Sequence, residues 1–324
     1  MASITDLQVF NEYAYSSATE VLRQQVDLFN AATRGAIVLR SSAHQGDFSE
    51  LAFFKKISGL VRRRDAYDGT PTAVAAVDIE HLLDVSVKVA AGTPPVNIPP
   101  SQYRWIQQNP EVAGAAMGQQ LAVDMFADML NTSLLSASAA LGQQAALTTD
   151  KSGEATPTAT FSYLLDATRA MGDRAQEVTC WVMHSKPMFD LHAEALSNSA
   201  SLFSYGTVNV MSDPFGRVFV VTDSPSLHYT DVDEHYRTLG LRPGAIVVGQ
   251  NNDYEDNWDT TNGYENIQRT YQAEWSFNVG VNGFAWDKAN GLANPGATEL
   301  GTGTNWDPYY SDQKDAAGVL LVTL

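Results

Sequence analysis

The chain has 324 residues, 20 Lys+Arg against 37 Asp+Glu for a formal net charge of −17, and a single cysteine. One thiol excludes an internal disulfide and any C-x-x-C metal site, and so acidic a chain is a poor sequestering nucleic-acid binder, because such binding rests on cations neutralising phosphates. No run approaches the roughly 18 consecutive apolar residues of a membrane span, and Asp6, Gln8, Asn11, Glu12 and Glu20 interrupt the first 22 residues, so neither an anchor nor a signal peptide is expected.

The first element read along the chain is a helix over Ile4 to Ala32, with Asp6 as N-cap, an apolar stripe of Phe10, Tyr13, Leu22, Val26 and Phe29, and Gly35 as its stop. Ala36 to Pro100 alternates short β-like runs (Ala36 to Leu39, Ala73 to Val77, Asp84 to Val89) with turn residues. It reads as a long hairpin or extended loop with Asp68-Gly69-Thr-Pro71 at its tip, closed by Pro94, Pro95, Pro99 and Pro100. A long helix follows from Pro110, N-capped by Asn109, to about Leu141, where Gly142 offers a left-handed C-cap.

Thr148 to Thr158 is a polar linker and a candidate boundary. Beyond it come a helix from Phe161 to Met171 closed by Gly172, a buried strand over Val178 to Met183, and a helix over Pro187 to Leu196 capped by Ser185. Strands are expected at Val208 to Met211, Val218 to Val221 and Ala245 to Val248. A long half-buried strand alternates from Ile267 to Val279, and a last short one covers Gly318 to Val322. The fold class read from this order is α+β.

Charge is segregated along the chain. From Asp223 onward acids outnumber bases roughly threefold, while Lys55, Lys56, Arg62, Arg63 and Arg64 form the one basic cluster. Phe53, Ile57, Leu60 and Val61 fall at helical spacing among these cations, which favours an amphipathic helix that docks on a partner over nucleic-acid contact, with the solvated face of a short helix as the equal alternative. The acids Asp231, Asp233 and Glu234 are candidate partners on a second copy, because a basic segment and an acidic half attract each other between copies.

Signs of catalysis are sparse. No phosphate-binding loop, dinucleotide fingerprint, H-E-x-x-H or G-x-S-x-G motif occurs. The six histidines are scattered, with only His184 and His192 close in sequence. Asp253, Glu255, Asn257 and Asp259 alternate like calcium ligands, but Trp258 stands where the turn of an EF-hand needs Gly. Cys180, beside Trp181 in an apolar run, reads as an inert core thiol. No cofactor, metal site or catalytic residue is assigned.

Several islands resemble the major capsid protein family of tailed bacteriophages with the Hong Kong 97-type fold. They are Phe29 to Ile37; Met171-Gly-Asp173; Trp181 to Ser185 with the following helix; Val218 to Pro225; Gly283 to Trp286; Asn294-Pro295; Glu299-Leu300; Asn305-Trp306; and Lys314 to Val319. The resemblance implies an N-terminal arm (1–47), an E-loop region (48–100), a peripheral domain with a spine helix (101–157), an axial domain (158–260), and a return strand with the C-terminal part of the peripheral domain (261–324). It also implies a non-enzymatic coat subunit that assembles with itself as hexamers and pentamers around double-stranded DNA. Further expected partners are a separate scaffolding protein, a portal and room for a decoration protein. The packaged DNA would be touched only by non-specific proximity and no membrane is involved. Assembly would take place in the host bacterial cytoplasm, and the virion capsid is the final location. Lys55 and Lys56 lie where some relatives form covalent cross-links, but no acceptor is assignable and none is expected. The alternatives are a cellular shell-forming compartment of the same fold and an enzyme without a local motif.

Overall fold

The computed structural model describes residues 4–42, 44, 46–55, 60–67, 69–70, 73–197, 210–212 and 216–324. Helix α1 (Ile4–Ala32) buries Phe10, Ala14, Ala18, Leu22 and Phe29, spaced so that one stripe faces inward. Tyr13, expected on that stripe, stands half out of it. The helix stops where Arg34 and Gly35 take φ of 53° and 71°, and the Gly35 N–H reaches back to the Asn30 carbonyl at 3.0 Å. The Asn30 side chain then accepts from the Leu39 N–H at 2.9 Å and donates to its carbonyl at 2.8 Å. That clamp fixes strand β1 (Ile37–Ser41) beside the helix.

Strands β2 (Phe48–Phe54) and β3 (His81–Gly92) form an antiparallel hairpin, in register from Phe48 opposite Val87 to Phe54 opposite His81. The strand expected over Ala73 to Val77 is absent: these residues find no ladder partner, and Val74 and Val77 are exposed. After β4 (Val96–Asn97) come α2 (Pro100–Gln108) and α3 (Pro110–Gly142). At 33 residues α3 is about 50 Å long. Pro110 starts it, but the Asn109 side chain makes no capping bond. Nor is Gly142 a left-handed cap. The last carbonyls are met instead by the N–H groups of Gln143 and Gln144 and by the Thr148 hydroxyl, which donates to Leu141 O at 3.0 Å.

The chain continues through β5 (Thr148–Asp150), α4 (Phe161–Thr168), a 3-10 turn over Arg169–Glu177 kinked at Gly172, β6 (Cys180–Met183), α5 (Ser185–Ser197), β7 (Val210–Ser212) and β8 (Val218–Val221). The part of the Val208 strand before residue 210 lies outside the described residues. Then follow β9 (His228–Thr230), β10 (Glu234–Leu241), β11 (Ile246–Gln250), β12 (Glu255–Thr261), β13 (Gln268–Val281), β14 (Phe284–Trp286), α6 (Ala297–Leu300), β15 (Trp306–Pro308) and β16 (Gly318–Thr323).

Two sheets result. Strand β13 is the hub of the first, pairing with β11 on one edge and β3 on the other around Phe277 to Val279, and with β12 and β4 nearer its start. β1 joins parallel to β11, and β14 and β15 extend the far end. The second sheet runs β5-β16-β10-β6-β8-β7, with β9 folded onto β10. Helix α3 packs against both, touching β11 and β13 of one and β16 of the other. Its C-terminal half is therefore buried nearly all round, from Ser133 to Leu141. The buried hydroxyls of Ser133, Ser136 and Ser138 stay satisfied by donating to carbonyls three or four residues back. Trp286 and Trp306, packed edge to face at 5.0 Å, close the core at the far end of the first sheet.

Candidate assembly surfaces

The β2–β3 hairpin leaves the first sheet with its base anchored and its far part bare. At the base Val85, Val87 and Val89 are buried and Lys288 pairs with Glu50; further out Phe53 packs edge to face on Tyr309 at 5.2 Å. Beyond Phe54 Lys55 continues the pairing: its N–H bonds the Glu80 carbonyl at 2.9 Å and its ammonium pairs with the Glu80 carboxylate at 2.5 Å. Lys56 lies outside the described residues. Arg62, Arg63 and Arg64 follow in irregular, exposed chain, and among the described residues none of them has an ion pair. Leu60 is 72% exposed and Val61 92%.

The amphipathic helix expected over Phe53 to Val61 is overturned for the described part. Phe53 belongs to β2, Leu60 and Val61 lie outside regular structure, and residues 56–59 lie outside the described residues. Strand pairing with Leu82 and His81 claims Phe53 and Phe54.

Asp231, Asp233 and Glu234 sit at the tight turn joining β9 to β10, where the Asp231 N–H bonds the Asp233 carbonyl at 3.1 Å. All three are exposed, and Val232 between them is 89% exposed. Glu234 accepts from the Tyr236 hydroxyl at 3.1 Å. Within one chain the arginine run and these acids are not brought together.

The remaining candidates take structural places. His184 packs on Tyr236 (5.2 Å) and His228 (6.2 Å) beside Asp223, whereas His192 lies further along α5. Among the described residues no group of three or more His, Cys, Asp or Glu is arranged to hold a metal. The alternation from Asp253 to Asp259 is that of a strand, β12, with Asp253 accepting from Ser276 and paired with Lys88 at 3.6 Å. Burial pushes the Cys180 thiol up to about 12 and leaves it unreactive at neutral pH.

Sequence reasoning missed the open flank of α3. A trough runs between that helix and the β3–β4 connection, in two joined parts of about 510 Å³ and 550 Å³ that share Thr93, Pro94, Leu121 and Asp124. Its walls are largely apolar, with Trp105 at 47% exposure, and its only charged lining residues are Asp124 and Asp128. The signal was present as a polar row, Gln120, Asp124, Asp128 and Thr132, at spacing four along the helix.

Two sheets bridged by a long helix, with a projecting hairpin, are the architecture of a shell subunit of the Hong Kong 97 type. The Major capsid protein 13-like family (Gp13-like) matches residues 6–320, and the chain belongs to that family. Among solved structures the chain is similar to the capsid asymmetric unit of cyanophage Pam1, at 10% identity over 89% of this chain and 88% of that one, with a TM-score of 0.53. It also matches the capsid of Ralstonia phage GP4 (11% identity, 89% and 87% covered, TM-score 0.48) and the holo-SrpI encapsulin complex from Synechococcus elongatus PCC 7942 (10%, 75% and 81%, 0.49). No curated protein matches the chain by sequence.

Proposed function

We propose that this major capsid protein tiles as hexamers and pentamers into the closed icosahedral head that encloses the double-stranded DNA of a tailed phage, without catalysing a reaction. The carrying observation is the β2–β3 hairpin. Its far part exposes Leu51, Phe54, Leu60, Val61, Tyr67, Val74, Val77 and Ile79, more apolar surface than a free monomer leaves open on one projection. Neighbouring copies supply the cover. In this reading the hairpin region is the extended loop, α3 the spine, α1 the arm, and the second sheet with α4 and α5 the axial part. A separate scaffolding protein and a portal assist assembly in the host cytoplasm, with room for a decoration protein on the finished shell. The Lys55–Arg64 segment serves contacts between subunits, with Asp231, Asp233 and Glu234 among its acidic counterparts.

The test is expression with the cognate scaffold followed by sedimentation and negative-stain imaging. Megadalton closed particles that package DNA are expected. A stable monomer or dimer under every condition contradicts the proposal, and shells that never package DNA favour a cellular compartment instead.

A further inference from the structure

Asparagine followed by glycine is a chemically fragile pair, because a residue without a side chain lets its own amide nitrogen close on the neighbouring carboxamide. The sequence holds three such pairs: Asn262-Gly263, Asn282-Gly283 and Asn290-Gly291. The fold treats them differently.

Two of them are held fast. The Gly283 N–H donates to the Tyr309 hydroxyl at 3.0 Å, and the Tyr309 N–H donates to the Gly283 carbonyl at 2.9 Å. Gly283 is buried against Ala316, whose Cα would lie 3.2 Å from an added Cβ. The Gly291 N–H donates to the Asp287 carbonyl at 2.8 Å, and the Asn290 carboxamide donates to the Asp287 carboxylate. Gly291 is buried too, against the Trp286 ring. An amide nitrogen held in this way reaches the neighbouring carboxamide only when its segment opens.

Asn262-Gly263 has none of these restraints. The β12–β13 ladder ends at the pair Thr261 and Gln268, and residues 262–267 between them are all exposed. Among the described residues no hydrogen bond ties Asn262 or Gly263, and a Cβ added at Gly263 would meet nothing within 4 Å.

We infer that Asn262 is the site at which the folded chain deamidates. The Gly263 nitrogen gives its proton to hydroxide and attacks Cγ of Asn262, closing a cyclic succinimide. The Cγ–Nδ2 bond breaks, and ammonia leaves with a proton from water, which restores the hydroxide. Water then opens the ring at either carbonyl to leave aspartate or isoaspartate, and nothing is oxidised or reduced. Either product adds a carboxylate to a hairpin that already carries Glu255, Asp256, Asp259 and Glu265, in a chain of net −17. In isoaspartate the backbone runs through the former side chain, so the connection from β12 to β13 lengthens by one carbon. The change stays at the tip. Below it the ladder of β12 on β13 is intact, Trp258 donates to Asn11 of α1, and the Arg269 guanidinium lies 3.9 Å from the centre of the Tyr103 ring. None of this depends on copies tiling into a shell.

The experiment ages the folded, unassembled full chain in mildly alkaline buffer beside the same chain unfolded in guanidinium chloride, and follows the three sites by peptide mass mapping. In the folded chain Asn262 should convert at least about tenfold faster than Asn282 or Asn290, while in denaturant the three should agree within about threefold. An isoaspartyl carboxyl methyltransferase with a labelled methyl donor gives a second reading. The aged folded chain should take up label, and Asn262→Ser, a change at an exposed position, should lose most of it. Asn282 or Asn290 keeping pace with Asn262 in the folded chain overturns the inference. So does conversion of Asn262 held about tenfold below its rate in denaturant, or label that persists in Asn262→Ser.

Discussion

Gly118 shows how one missing side chain sets the position of helix α1. Any Cβ on it would collide with the Ala14 carbonyl, and one on Gly114 would sit 2.5 Å from the Phe10 carbonyl, so α1 and α3 meet backbone to backbone. Gly118→Ala should push the helices apart and destabilise the chain by about 1–3 kcal/mol, measured as a lowered denaturation midpoint with an unchanged slope. An unchanged midpoint would show that α1 is only loosely docked. Buried acids act at this scale too. Burial pushes the Tyr254 and Tyr309 phenols up to about 12, as it does Cys180. An unfolded chain releases those protons from about pH 9–10, so between there and about pH 12 the folded state binds more protons. Stability should be intact below that interval and fall as pH rises through it. Tyr254→Phe should flatten the fall in urea midpoints, and an identical pH dependence in the variant would contradict this.

Elements differ in how plainly the amino-acid pattern announces them. Helices α1 and α3 and strand β13 are legible because long apolar stripes and strict alternation have few competing explanations. The Lys55–Arg64 segment is not, because four apolar residues at helical spacing carry less free energy than a seven-residue ladder that captures Phe53 and Phe54. The alternating acids of β12 are ambiguous for a related reason: period two is shared by strands and ligand loops, and only pairing with β13 decides between them. The α3 trough requires knowledge of which helix face β3 leaves open, and that is a tertiary fact. Reversing Arg62, Arg63 and Arg64 to Glu tests the hairpin as an element. Particle yield should drop while the unassembled chain keeps its far-ultraviolet spectrum and denaturation midpoint, since among the described residues these side chains make no ion pair within the chain. Equal yield and equal salt response in the variant would reduce the segment to a solvated surface.

For the whole molecule the charge balance acquires a physical sense. In the proposed shell a net of −17 per subunit would disfavour tight adhesion of packaged duplex, because so acidic a protein has few cations with which to release counterions. It also makes copies repel one another at long range, so closure depends on local pairs of opposite sign. Exposed pairs contribute only about 0.2–1 kcal/mol each, yet a shell repeats each of them at every subunit. Salt at 1 M shortens screening to about 3 Å, so assembly should weaken there if such pairs govern closure. Among the described residues no helix is long and apolar enough to cross a membrane, and none enters this account. The most direct measurement is an electron-microscopic reconstruction of the assembled protein. A closed shell of pentamers and hexamers is expected, in which the β2–β3 hairpin of each subunit lies on a neighbour. A particle population no larger than a few subunits, or a shell whose hairpins touch only their own chain, would contradict it.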